Sequence, residues 1–225
     1  MTKLFSSLFA VLVASATSFA SAQAPAQPAP AAGNGPAIEA KVAMCIGCHG
    51  IPGYQSSFPE VHRVPMISGQ GAKYIAAALT AYKTGERKHP SMRGIAGGLS
   101  DQDITQIAAW YEAHGKGGAT PPEQPRRQPN AQVAALLQKG GCVACHGANF
   151  NKPIDPSYPK IAGQHKDYLF VALKSYKAEG SVVGRSNGVM AGVVKQFSNA
   201  ELKAMANYIG SLDGELIVQP QSRFR

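Results

Sequence analysis

Cys45-Ile46-Gly47-Cys48-His49 and Cys142-Val143-Ala144-Cys145-His146 take up all four cysteines of the chain. The spacing has a chemical reason. Two thiols set this way add to the two vinyl groups of a haem and form thioethers. The histidine that follows then lies beneath the iron as a ligand. The motif is the attachment signature of haem c. Other readings of paired cysteines fit less well. A redox dithiol belongs near a βαβ pattern, and none is visible. A zinc site needs the two pairs to converge, but they lie in separate halves of the sequence. Disulfides are the ordinary reading of an even cysteine count in an exported chain, but here every cysteine falls inside a Cys-x-x-Cys-His motif. Cys45, Cys48, Cys142 and Cys145 are thus the expected attachment residues of two covalent haems. His49 and His146 are the expected iron ligands.

Outward from these motifs the sequence repeats itself. Pro65-Met66-Ile67-Ser68-Gly69-Gln70 answers Pro159-Lys160-Ile161-Ala162-Gly163-Gln164. Tyr74, Leu79, Tyr82 and Lys83 answer Tyr168, Leu173, Tyr176 and Lys177. Met92 answers Met190, and Ser100-Asp101-Gln102-Asp103-Ile104 answers Ser198-Asn199-Ala200-Glu201-Leu202. Matches in this order indicate one domain duplicated in tandem. Residues 37–114 form the first copy and 131–225 the second. Between them, the prolines and glycines of residues 115–130 cannot continue a helix and read as a linker.

Each copy has the same helical outline, and the expected fold class is all-α. A short helix enters the cysteine motif, from about Pro36 and from about Asn130. A second covers residues 72–84 and 166–178. Its apolar face holds Ile75, Leu79 and Tyr82 in one copy and Leu169, Leu173 and Tyr176 in the other. The last helix opens at Ser100 and Ser198 with an acid three residues on, close to a capping box. It runs to about His114 and Leu212. No convincing alternating strand is present. A domain of this size has little core to bury, so a flat macrocycle suits its middle.

The ends and the charge bound the setting. Met1-Thr2-Lys3 is a basic start, Leu4 to Ala14 is mostly apolar, and Ala20-Ser21-Ala22 offers the small residues that a signal peptidase reads. Residues 1–22 read as a secretory signal and 23–36 as a flexible leader. A retained anchor is the alternative, but the apolar stretch is short of the about 20 residues a span needs. The expected setting is the periplasm, without stable membrane insertion. The formal net charge is +9, and the second copy carries more of the excess than the first. A basic face steers an acidic partner. No basic run with interleaved aromatics points to nucleic acid.

Haem iron held by His and Met is an electron-transfer arrangement. Met44 precedes a cysteine, Met66 is answered by Lys160, and Met205 lies opposite Ile107 in the last helix and reads as core. Met92 and Met190 remain. They stand in register, each in a glycine-containing loop before the last helix, and are the expected sixth ligands. His89 is the rival in the first copy, and the second has no histidine in the equivalent loop. His62, His114 and His165 read as structural or surface residues. Pro65 and Pro159 admit two readings: a simple turn, or a carbonyl that accepts the other ring N–H of a metal-bound histidine.

With these residues in place, the halves resemble class I cytochrome c domains, and the tandem pair resembles the two-haem cytochrome c4 family of bacterial periplasmic electron carriers. The resemblance rests on the two haem motifs, the blocks ending at Gln70 and Gln164, Tyr82-Lys83-Thr84-Gly85, Met92, Met190 and the capped last helices. It covers about residues 37–214. It implies two all-α lobes with pseudo-twofold symmetry, haems close enough to exchange electrons, and delivery towards a terminal oxidase. The second copy departs from the pattern, with Tyr176-Lys177-Ala178-Glu179-Gly180 and a longer approach to Met190. The tail after Gly214, with Arg223 and Arg225, is not explained by the family. Three functions stay open: a free carrier between a redox-protein donor and acceptor such as a membrane-bound oxidase; the cytochrome subunit of a periplasmic dehydrogenase, such as a sulfide-oxidising flavocytochrome; and a two-haem enzyme. Two Met ligands and no spare cysteine argue against the third, and no small-molecule substrate is expected.

Overall fold

Helices account for just over half of the described residues, and their ends follow local chemistry. The computed structural model describes residues 36–115, 121–178 and 183–220. The expected signal, its cleavage point after Ala22, the leader up to residue 35, Arg223 and Arg225 lie outside the described residues. In chain order the elements are α1 (Pro36–His49), the two-residue strands β1 (Gln55–Ser56) and β2 (His62–Arg63), α2 (Ala72–Thr84), α3 (Pro90–Gly97) and α4 (Asp101–Ala113). Then come α5 (Ala131–Lys139), α6 (Cys142–His146), α7 (Lys166–Lys177), α8 (Gly188–Val194) and α9 (Asn199–Ile209). The fold is all-α apart from the short antiparallel β1–β2 ladder.

Both capping boxes form. Ser100 and Ser198 accept from the amides of Asp103 and Glu201, whose carboxylates accept from the serine amides in return. Three expectations need correction. The segments of Met92 and Met190 are helices α3 and α8, not loops. Their glycines disguise them, but His89 and Asn187 cap their first turns. The helix entering the second motif is not continuous. It stops at Gly140 and restarts after Gly141, whose φ of 60° is left-handed, a conformation cheap only for glycine. The β1–β2 ladder was missed because two residues show no period.

The apolar residues gather in two separate cores. One lies among α1, α2, α3 and α4 and includes Val42, Ile107 and Tyr111. The other lies among α5, α7, α8 and α9 and includes Phe150, Phe197 and Leu202. Polar contacts tie the halves together. Arg63 binds Asp167 at 3.0 Å, and Glu60 pairs with Lys174. Arg87 and Arg185 form an antiparallel bridge. The tail after Gly214 crosses to the first half, where the Ile217 amide donates to the Ser68 carbonyl at 3.1 Å. No helix among the described residues is long and apolar enough to cross a membrane.

Candidate functional site

Two cavities open beside the cysteine motifs, and each collects its residues from separate elements. The first, about 360 Å³, is lined by Cys48 and His49 from the end of α1, by Leu79 and Tyr82 from α2, and by Met92 from α3. The second, about 230 Å³, is lined by Cys142, Cys145 and His146 from α6, by Leu169 and Leu173 from α7, and by Met190 from α8. Cys45 packs against the first core one turn before Cys48. All four thiols are free. Burial pushes the Cys45 thiol up to about 11 and raises Cys142 as well.

The two histidines are held alike. His49 donates its Nδ1–H to the Pro65 carbonyl at 2.8 Å, and His146 donates to the Pro159 carbonyl at 3.0 Å. The prolines therefore act as acceptors, not as bare turns. This bond fixes the tautomer and leaves Nε2 for the cavity. Burial pushes both imidazoles below their ordinary value, although the carbonyls act in the opposite sense. A neutral imidazole is the form that ligates metal.

Of the remaining histidines, His62 and His89 also line the first cavity. His89 lies beside Met92, but its Nδ1 accepts from the Met92 amide at 3.4 Å and its Nε2 meets Ser56 Oγ at 3.4 Å. His62 is buried, with Nδ1–H donating to the Glu60 carbonyl at 2.8 Å. His114 stacks on Trp110 with ring centroids 3.9 Å apart. His165 is the N-cap residue of α7.

A cluster that the sequence reading missed stands between the cavities. Arg87 donates to Tyr168 Oη at 2.7 Å and to Tyr74 Oη at 3.3 Å, and Arg185 donates to Tyr168 Oη at 3.4 Å. Tyr74, Tyr168 and Arg185 line both cavities. A signal existed, because each arginine stands at the same distance before its methionine, Met92 or Met190. Neither arginine pairs with a carboxylate among the described residues. Arg87 Nε, although buried, has no hydrogen-bond partner among them. Burial works to raise the Tyr168 phenol, but the two guanidiniums outweigh it and bring it down to about 7. Two half-buried guanidiniums with phenols and no carboxylate beside them among the described residues suit an anionic group. The donor set therefore fits haem c at three points: paired thiols, a neutral histidine and a methionine lining one cavity, and cations where a group bearing carboxylates would be met.

Comparison with known proteins agrees. The cytochrome c family model matches residues 130–213. A cytochrome c4 of Stutzerimonas stutzeri is 31% identical over 194 residues, spanning 81% of this chain and 90% of that one. The chain belongs to the cytochrome c4 family. It is accordingly an electron-transfer protein rather than an enzyme, and its cofactor class is haem c. The solved structure of reduced cytochrome c4 from Pseudomonas stutzeri superposes with a TM-score of 0.56 at 26% identity, covering 79% of this cytochrome and 97% of that chain. A relative described as a thiosulfate dehydrogenase electron acceptor, from Thiomonas intermedia, is 27% identical over 178 residues.

Proposed function

We propose that this cytochrome carries two haems c and passes single electrons between redox proteins of the periplasm, towards a terminal oxidase. One haem would be held through Cys45 and Cys48, with His49 and Met92 as the iron ligands. The other would be held through Cys142 and Cys145, with His146 and Met190. Residues 37–114 and 131–225 are the two lobes, 115–130 the linker, and 1–22 the export signal. The observation that carries this reading is the assembly of cysteine, histidine and methionine at each cavity from different helices.

Haem iron, when bound, supplies a one-electron ferric–ferrous couple. The chain's own residues set how that couple behaves. The Pro65 and Pro159 carbonyls orient the histidines. Leu79 and Tyr82, like Leu169 and Leu173, keep water from the cavity walls. Arg87 and Arg185 supply positive charge that favours the reduced state. Met92 and Met190 would complete the set of iron ligands at the two cavities.

Mass spectrometry of the exported protein tests the reading. The expected mass is the chain from residue 23 plus two haems. Replacing Cys142 and Cys145 together by alanine is expected to remove one of them. A mass with one haem in the wild type, or an unchanged haem count in the variant, contradicts it.

A second reading is favoured by the relative described as a dehydrogenase electron acceptor. Here the same cytochrome serves one periplasmic dehydrogenase as its subunit or dedicated acceptor. Co-purification of a stable partner in stoichiometric amount supports it, and its absence favours the free carrier.

A further inference from the structure

The repeated blocks that end in glutamine do more than match. Gly69 and Gly163, with φ of 88° and 72°, turn the chain in the left-handed region just before Gln70 and Gln164. Both glutamines are buried, and each points its amide into the other half. The Met66 amide donates to Gln164 Oε1 at 3.0 Å, and Gln164 Nε2 donates to the Met66 carbonyl at 2.8 Å. The Lys160 amide donates to Gln70 Oε1 at 2.9 Å, and Gln70 Nε2 donates to the Lys160 carbonyl at 2.9 Å. Each carboxamide oxygen also accepts from the next residue's own amide, at 3.0 Å in both halves.

The first bond of each clasp falls on a particular peptide group. The Met66 N–H and the Pro65 C=O belong to one planar unit. That C=O accepts from His49 Nδ1, while the N–H donates to Gln164. The same holds for Pro159–Lys160, between His146 and Gln70. A peptide that donates through its N–H is a stronger acceptor at its C=O, because hydrogen bonds in series polarise one another. Two four-membered chains result: His49, Pro65–Met66, Gln164; and His146, Pro159–Lys160, Gln70.

We infer that Gln164 is a positioning residue for His49, and Gln70 for His146, so that each lobe tunes the iron site of the other. The inference rests on the axial roles proposed above for His49 and His146. With the clasp formed, the imidazole gives up more of its Nδ1 proton, donates more strongly through Nε2 and favours the ferric state. Losing the clasp raises the potential of the site across the interface.

The test is a reductive titration of the haem-loaded protein in which NMR follows each site separately. Ferric haem-methyl resonances report the redox state, and the ferrous His Nδ1–H signals report the hydrogen bond. Gln164→Leu is expected to raise the midpoint of the first site, changing its ferric-to-ferrous ratio at fixed potential by about twofold to fourfold. It also weakens the His49 Nδ1–H bond. Gln70→Leu is expected to do the same to the second site and His146. Gln164→Leu decides, because Gln164 lines the second cavity and not the first, whereas Gln70 lines the second cavity that its own clasp serves. A residue acting only as cavity lining would shift the second site. If Gln164→Leu does not give folded holoprotein, Gln164→Met, of similar length and without either clasp bond, carries the test. It is expected to raise the first site more than the second. Movement of the same-lobe site, equal movement of both, or movement of neither overturns the inference. A wild-type spectrum without two His/Met sites overturns the ligand assignment instead, and is read before any variant.

Discussion

At the scale of single residues, the charge between the cavities makes the sharpest demand. Arg87 and Arg185 are half-buried cations, and nearby phenols, not carboxylates, are their partners among the described residues. Arg185 also lies over the rings of Tyr168 and Tyr176, at 5.7 and 5.4 Å from their centroids. A fixed cation beside an iron site stabilises the form with one more electron. Arg87→Leu is therefore expected to lower the midpoint potentials of both sites, on the order of tenfold in the ferric-to-ferrous ratio. A spectroelectrochemical titration reads this directly, and an unchanged pair of potentials would remove Arg87 from the account. The cysteines, histidines and methionines that line the cavities were legible at this scale because the motif dictates their spacing. Cys-x-x-Cys-His names three residues at fixed spacing, and the repeat narrows the methionines to Met92 and Met190. The arginines were not legible, because an arginine in a sequence carries no mark of burial. Gln70 and Gln164 were visible as repeated letters, but their crossed hydrogen bonds need the fold.

At the scale of elements, α4 and α9 were the most readable, since a serine and an acid three residues on specify a helix start. Ser100→Ala and Ser198→Ala are each expected to cost about 1 kcal/mol, read as a lower Tm of the holoprotein. The sign of the pH dependence follows from the same boxes. Hydrogen bonding holds the Asp103 and Glu201 carboxyls below their ordinary values: from Lys41 and Ser100 for Asp103, and from Ser198 for Glu201. Their contribution is thus present above the unfolded carboxylate pKa and is lost as pH falls through the lower, folded value. Amide exchange in the first turns of α4 and α9 is expected to quicken as pH drops below about 4 relative to the intrinsic rate. Exchange that stays flat there contradicts the boxes. Helices α3 and α8 were hidden for the opposite reason. They are short and contain glycine, so propensity argues against them, and only the caps His89 and Asn187 and tertiary packing make them helical.

At the scale of the whole molecule, two cores share one interface, and the tail after Gly214 belongs to it. Leu216 is buried, Ile217 bridges to Ser68, and Glu215 pairs with Lys160. Lys160 Nζ also donates to the Gly69 carbonyl at 3.0 Å. Leu216→Ala is expected to cost about 2 kcal/mol and to speed amide exchange in both lobes. A loss confined to residues 131–220 would show that the tail serves only its own lobe. The duplication was legible from matched blocks, but the lobe contacts were not. They join residues some ninety positions apart that show no pattern in one sequence. The most direct test of the central claim is a redox titration of the whole protein followed by absorption, watching the weak ferric methionine–iron charge-transfer band. The account predicts two one-electron transitions, low-spin iron at both, and a band that disappears as each site is reduced. A single transition, a high-spin site, or no such band would contradict a pair of His/Met haems.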